Sequence, residues 1–194
     1  MALTLRVCGH RELERIYSLF DLDFDKKELL PKLGVHKAML KGDMELLAVT
    51  ETESRIDLAY ALVGCRGLYG YVWLKYLDVI PFYREKGLGV ESMRLLHKRY
   101  ADRQGILAEL TVFDDADGDY LRKLRRYFAR FGYQDVACDY RLGGAPVDLM
   151  VKPIRGTAEI APVAHRMIAD FYSRCLRPVS FAKMVDIRPL KKEE

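Results

Sequence analysis

The stretch 71–112 constrains the fold more than any other part of the sequence. An apolar run rich in aromatic and β-branched residues ends at Ile80, a helical pattern begins at Leu88, and a second apolar run covers 106–112. Strand, helix and strand within about forty residues predict a βαβ unit with two parallel strands, because parallel strands need a crossover connection.

The hydrophobic pattern predicts further elements around this unit. Two strand-like runs, 44–50 and 56–64, are joined by a polar stretch, and with 71–80 they predict an antiparallel meander. The charged segment 21–40, broken by Pro31 and Gly34, predicts one or two short helices that either shape a substrate pocket or merely connect. Further strands are predicted at 3–8, 133–141 and 147–152, and further helices at 13–20, 121–131 and 163–175.

Composition is that of an ordinary soluble domain, with 50% hydrophobic and 31% charged residues. The net charge of +4 is too small to indicate a nucleic-acid partner. The four cysteines and four histidines are scattered without metal-ligand spacing, so no metal is expected. No secretion signal or membrane-spanning run is evident, which predicts a cytoplasmic protein without a membrane partner.

The turn Arg84-Glu85-Lys86-Gly87-Leu88-Gly89 lies between the strand and the helix of the βαβ unit. The first turn of a helix has N–H groups without internal partners and carries partial positive charge. Gly87 and Gly89 have no Cβ atoms to keep a phosphate from these amides. The segment therefore predicts an anion site, although a plain tight turn uses the same glycines.

The pattern Arg84-x-x-Gly87-x-Gly89, after a strand ending in Leu77-Asp78-Val79, resembles the [Q/R]xxGx[G/A] motif of the GNAT (Gcn5-related N-acetyltransferase) superfamily. The order of elements extends the resemblance over 3–152, and the helix before Gly132-Tyr133 is similar to the second CoA-side motif of the family.

The resemblance implies an α/β (α+β) GNAT fold: a central mixed, mostly antiparallel sheet of about six to seven strands flanked by helices. Residues 1–155 would form this domain, and 156–194 a C-terminal helical extension packed on or beside it. The implied activity is direct transfer of acetyl from acetyl-CoA, or another acyl-CoA, to a primary amine of a small molecule, peptide or protein.

The resemblance also implies a cofactor site. The backbone of the strand end would pair with the pantetheine arm, and the amides of the turn would hold the pyrophosphate. The thioester would lie where the strands at 71–80 and 105–112 splay apart, often beside a bulge. The implied cofactor-binding residues are Leu77, Asp78, Val79, Arg84, Glu85, Lys86, Gly87, Leu88, Gly89 and Val90.

Catalysis is implied less directly. Glu109 matches a position where some family members carry a general base, although a structural carboxylate would look the same in sequence. The tyrosine that some members use as general acid is replaced by Phe128. Tyr127 is the neighbouring candidate acid, but it lies about 100° round the helix.

Two alternatives stay open from the sequence. A GNAT-fold domain without catalysis would bind acyl-CoA as a sensor or scaffold, and Phe128 fits that interpretation. The basic cluster at 122–130 is either a solvated helix face or a contact for the CoA 3′-phosphate, with nucleic acid as the weakest reading. The amine acceptor cannot be identified from sequence, and a homodimer is compatible with it.

Overall fold

The computed structural model describes residues 2–111 and 118–188. The described residues form nine strands and six α-helices. The strands are β1 (Leu3–Val7), β2 (Met44–Glu51), β3 (Asp57–Gly64), β4 (Val72–Val79), β5 (Gly105–Thr111), β6 (Gln134–Asp135), β7 (Asp139–Leu142), β8 (Ala145–Pro153) and β9 (Val185–Arg188). The helices are α1 (Leu13–Asp23), α2 (Lys32–Leu40), α3 (Leu88–Arg99), α4 (Asp119–Ala129), α5 (Ala161–Cys175) and α6 (Pro178–Met184).

The strands form one sheet in the order β1-β2-β3-β4-β5-β8-β7-β9, with β6 also paired to β8. Only β4 and β5 are parallel; the other described pairings are antiparallel. The βαβ unit and the mostly antiparallel sheet are therefore confirmed. Val112, the last residue of the predicted second strand of that unit, lies outside the described residues.

The strand count exceeds the expected six to seven for two reasons. The run predicted as a single strand at 133–141 is divided into β6 and β7 by the irregular segment 136–138. The extension was expected to be helical, yet its last described element is β9, which pairs with β7. Neither feature leaves a periodic signal, because strands of two and four residues are too short to show alternation.

Two hydrophobic clusters cover opposite faces of the sheet. On the first face, α1, α2 and α5 pack against strand residues that include Trp73 and Leu107. On the second face, α3 and α4 pack against neighbouring strand residues that include Val72 and Ile106. The alternation along each strand separates the two clusters, as expected for a sheet buried on both sides.

Helix α5 makes the extension part of the core. The ring of Phe171 stacks on Trp73, with centroids 4.8 Å apart and an interplanar angle of 7°. A Cβ atom on Gly64 would lie 2.6 Å from the Phe171 ring, so this close approach requires glycine in β3. No helix in the described segments is long and apolar enough to cross a membrane.

Truncation of Phe171 tests this packing. Phe171→Ala should lower the free energy of unfolding by about 3–5 kcal/mol, because it leaves a cavity against Trp73. Val179→Ala, on the exposed face of α6, is the control and should change stability by less than about 0.5 kcal/mol. Denaturant unfolding measures both variants. Equal, small effects would show that α5 does not contribute to the core.

Candidate active site

Strands β4 and β5 part after a short parallel pairing. They pair at Val72↔Ile106, Trp73↔Leu107 and Leu74↔Ala108, and no further pairing between them occurs in the described chain. The cause lies in β4, where the register with β3 shifts so that Lys75 is an extra, bulged residue between Leu74 and Tyr76. A bulge bends its strand and locally increases the twist, which turns the end of β4 away from β5.

A cavity of about 700 Å³ occupies the gap between the two strands. Residues from the end of α1 and the segment after it, including Phe24 and Glu28, line the cavity on the first face. Leu124, Tyr127 and Phe128 of α4 line it on the second face. The cavity therefore connects the two faces through the sheet, and its size is typical of small-molecule sites.

A buried ion pair lies in the gap. Lys75 Nζ is 2.5 Å from Glu109 Oε2, and the side chains are 1% and 2% exposed. Tyr140 and Tyr172 each donate a hydrogen bond of 2.7 Å to Glu109 Oε1. Burial raises the pKa of both tyrosines well above its ordinary value, so they remain hydrogen-bond donors. The network thus joins β4, β5, β7 and α5.

These contacts bear on the predicted general base. A carboxylate has about four lone-pair sites, and three of those on Glu109 are used by donors within the protein. An acceptor amine would have to compete with Lys75 and two tyrosines for the same oxygens. The geometry therefore favours the alternative from the sequence analysis, in which Glu109 is a structural carboxylate.

The glycine-rich turn has the backbone geometry of an anion site. Helix α3 begins after Gly87, which has φ 75°, and Glu85 also has a left-handed φ of 64°. Such turns direct successive N–H groups toward one point, and the helix dipole adds positive charge there. A Cβ atom on Gly87 would meet no described atom within 4 Å, so space is open beside this residue of the turn.

Arg84 anchors this turn to the rest of the site. Its Nε donates to the carbonyl of Val79 at 2.8 Å, and its Nη2 lies 2.6 Å from Asp23 and 3.1 Å from Asp78. The guanidinium therefore ties the turn to the end of α1 and to β4. These contacts give Arg84 a positioning role in the turn. A direct contact between Arg84 and pyrophosphate remains a prediction.

Two buried polar atoms on the cavity wall have no partner among the described residues: Asp78 Oδ2 and Thr111 Oγ1. Buried polar atoms in native proteins are almost always hydrogen-bonded, so such atoms in a cavity wall indicate a ligand. The edge of β4 that faces the gap, from Leu77 to Val79, likewise lacks a strand partner on that side. Apart from the Val79 carbonyl, which accepts from Arg84, the backbone groups on that side are open to an added strand.

Two carboxyl groups on the cavity wall have raised pKa values. Burial, reinforced by the nearby Asp23, raises the pKa of Asp78 to about 7. Burial, reinforced by Glu109 and opposed by Lys75, raises the pKa of Glu28 to about 7. No role for Glu28 follows from the sequence, where the only signal is that its segment is one able to shape a substrate pocket.

Tyr127 and Phe128 both line the cavity, although their helical positions suggested different directions. The Tyr127 hydroxyl donates to the Gly89 carbonyl at 2.7 Å, and burial raises its pKa to about 12. It is thus a neutral hydroxyl next to the glycine-rich turn. A role as general acid remains a prediction.

The basic face of α4 is partly neutralised. Arg125 forms ion pairs with Asp135 and Asp148, at 2.7 and 2.6 Å, and Arg122 pairs with Asp119. These contacts favour a solvated helix face over a binding surface. No group of side chains in the described ranges is arranged to hold a metal ion.

Comparison with solved structures identifies the fold. The chain superimposes on Arabidopsis thaliana NAA60 bound to a bisubstrate analogue with a TM-score of 0.61 and 14% identity, over 80% of this chain and 100% of that one. The spermidine/spermine N-acetyltransferase SpeG from Vibrio cholerae gives 0.58 and 12%, over 78% and 93%. The ribosomal-protein-S18-alanine N-acetyltransferase from Escherichia coli gives 0.56 and 15%, over 81% and 97%.

The chain therefore has the GNAT fold. The resemblance seen in the sequence is confirmed at the level of the fold. No family model matches the sequence, and no curated protein matches it significantly.

The ion pair in the gap can be tested by a double-mutant cycle. Lys75→Met leaves the Glu109 carboxylate buried without its cation and should cost about 3–5 kcal/mol of unfolding free energy. The double variant Lys75→Met/Glu109→Gln removes both charges and should recover a clear part of that loss. Denaturant unfolding of the two single variants and the double variant measures the coupling. Strictly additive losses would contradict a direct pair.

Proposed function

We propose that this protein is an acyl-CoA-dependent N-acyltransferase that transfers acetyl from acetyl-CoA to a primary amine. The observation that carries the proposal is the cavity through the sheet. A turn with the backbone geometry of an anion site and an unpaired strand edge adjoin the gap, and carboxyl groups line the first face. Such an arrangement lets two substrates meet at one point from opposite faces.

The residues present fit the acyl-CoA. The amides from Lys86 to Val90 suit the pyrophosphate, because they lie at the start of α3 with open space beside Gly87. The edge of β4 suits the pantetheine amides, which would pair with Leu77–Val79 as an added strand. A bound acyl-CoA would supply the thioester, and an unpaired strand N–H of the gap would be available to polarise its carbonyl.

Two features favour an enzyme over a sensor. The cavity continues past the gap to the first face, which a protein that only binds acyl-CoA does not need. Carboxyl groups on that side suit an amine, which binds as a cation and must lose a proton to react. The names of the solved relatives point the same way, since each is described as an N-acetyltransferase or bound to a bisubstrate analogue.

The missing tyrosine at Phe128 does not prevent turnover. An ordinary thiol titrates near ~8.5, so a thiolate is a tolerable leaving group without help. Tyr127 brings a hydroxyl to the second-face wall and stands as the candidate acid. Whether this hydroxyl protonates the thiolate affects the rate of transfer, not whether the protein is an acyltransferase.

Transfer is tested by thiol release from acetyl-CoA, with spermidine and a peptide bearing a free N-terminal amine as acceptors. The proposal predicts amine-dependent release of CoA and an acetylated acceptor by mass spectrometry. Tight acetyl-CoA binding without release toward either acceptor would support the sensor instead.

The anion site is tested by a charge-matched pair of variants. Gly87→Asp places a carboxylate in front of the α3 amides, and aspartate tolerates the left-handed backbone better than most residues. Gly87→Asn has the same shape without the charge and controls for strain. Calorimetry should show acetyl-CoA affinity falling at least about tenfold further in Gly87→Asp than in Gly87→Asn. Equal affinities would place the pyrophosphate elsewhere.

A further inference from the structure

Five carboxyl groups line the cavity, and they differ in what they contact. Asp23 and Asp78 pair with Arg84, and Glu109 pairs with Lys75. Glu85 lies on the exposed glycine-rich turn. Glu28 differs from the three paired carboxyl groups: no basic side chain of the described residues forms an ion pair with it, and its carboxylate accepts a hydrogen bond from the backbone of Asp25.

The backbone of Glu28 is fixed beside the gap. Its carbonyl accepts a hydrogen bond of 3.0 Å from the Tyr76 hydroxyl, which in turn accepts one of 2.8 Å from the amide of Leu30. The amide of Glu28 donates to the Asp25 carbonyl at 3.0 Å. Tyr76 directly follows the bulged Lys75 in β4. Its hydroxyl therefore holds the Glu28 loop next to the bulge that opens the gap.

The charges around Glu28 come from several elements. Lys75 on β4 favours its ionised form, whereas Glu109 on β5 and Asp25 in its own loop disfavour it. The Tyr76 hydroxyl is neutral, because burial raises its pKa well above the ordinary value. Burial is the largest effect on Glu28 and sets its pKa at about 7. A base is most efficient when its pKa lies near the working pH.

We propose that Glu28 is the proton acceptor for the amine substrate, an inference that rests on the proposed acyltransferase function. The Glu28 carboxylate takes one proton from the ammonium and leaves a neutral amine. The amine nitrogen attacks the thioester carbonyl carbon, and the C–S bond breaks as the C–N bond forms. The second nitrogen proton passes to the departing thiolate, and Glu28 then releases its proton to solvent.

Asp78 is the main rival, since its pKa is also about 7. Its Oδ1 is held by Arg84 at 3.1 Å, so a proton taken up by Asp78 would weaken an ion pair that anchors the glycine-rich turn. Protonation of Glu28 breaks no ion pair with any described residue. Glu109 is disfavoured because two tyrosines and Lys75 occupy its oxygens.

A first experiment needs no acceptor. The folded-state pKa of Glu28 is raised from 4.5 to about 7, so the fold favours the protonated form. The contribution of this group to stability is therefore lost as pH rises between those values. Glu28→Gln mimics the protonated form, so its Tm should exceed that of the wild type at pH 8 by more than at pH 5. The exposed Glu53→Gln is the control and should show no such pH dependence. A Tm difference that does not grow with pH would overturn the assigned environment of Glu28.

A second experiment uses acetyl-CoA with whichever of spermidine or the peptide the wild type acetylates. Wild-type kcat should rise with pH through about 7, and Glu28→Gln should lower it by about 10²–10⁴ without changing acetyl-CoA affinity. The loss should be much smaller with hydroxylamine, which is already neutral at pH 7. Asp78→Asn should keep the pH-dependent rise.

The outcomes separate this inference from the proposed function. No transfer by the wild type to either acceptor would overturn both. Wild-type transfer with an unchanged Glu28→Gln profile, or loss of the pH-dependent rise only in Asp78→Asn, would overturn the role of Glu28 alone.

Discussion

The ion pair between Lys75 and Glu109 is the interaction on which the rest of the site depends. Two charges removed from water are costly, and the tyrosine hydroxyls that donate to the carboxylate help to offset that cost. Those hydroxyls come from β7 and from α5, far along the chain. One buried network therefore fixes the point where β4 and β5 part and ties the C-terminal extension to it. The Lys75 bulge explains why the strands part there.

Different elements adjoin the gap between β4 and β5 on the two faces of the sheet. On the second face, α3 directs its first amides toward the cavity, and the end of β4 offers an unpaired edge. On the first face, the segment after α1 brings Glu28 beside the same gap, held by Tyr76. Arg84 links the two sides, because it joins the glycine-rich turn to Asp23 at the end of α1. A substrate at the turn and a substrate on the first face thus contact parts of one connected structure.

Much of the fold was predictable because its signals are local. The crossover from 71 to 111, the start of α3 at Leu88 and the meander all follow from periodicity and glycine placement. Glu28 and Tyr172 could not be recognised in this way. Tyr172 is 63 residues from Glu109 in the chain, and Tyr76 is 48 residues from the Glu28 carbonyl that it binds. The resemblance implied a splay that often lies beside a bulge, but the position of the bulge at Lys75 could not be predicted, since one extra residue does not disturb a strand that is apolar on both faces. Glu109 was noticed, but only its contacts indicate that it is structural.

The central claim is that acetyl-CoA occupies the gap between β4 and β5 with its thioester beside the Lys75–Glu109 pair. A crystal structure of the protein with acetyl-CoA tests it most directly. The account predicts pyrophosphate density against the amides of 86–90, pantetheine along the edge of β4 at 77–79, and the thioester open to Glu28 on the first face. Density for the cofactor elsewhere, or a thioester closed off from Glu28 by the sheet, would contradict it.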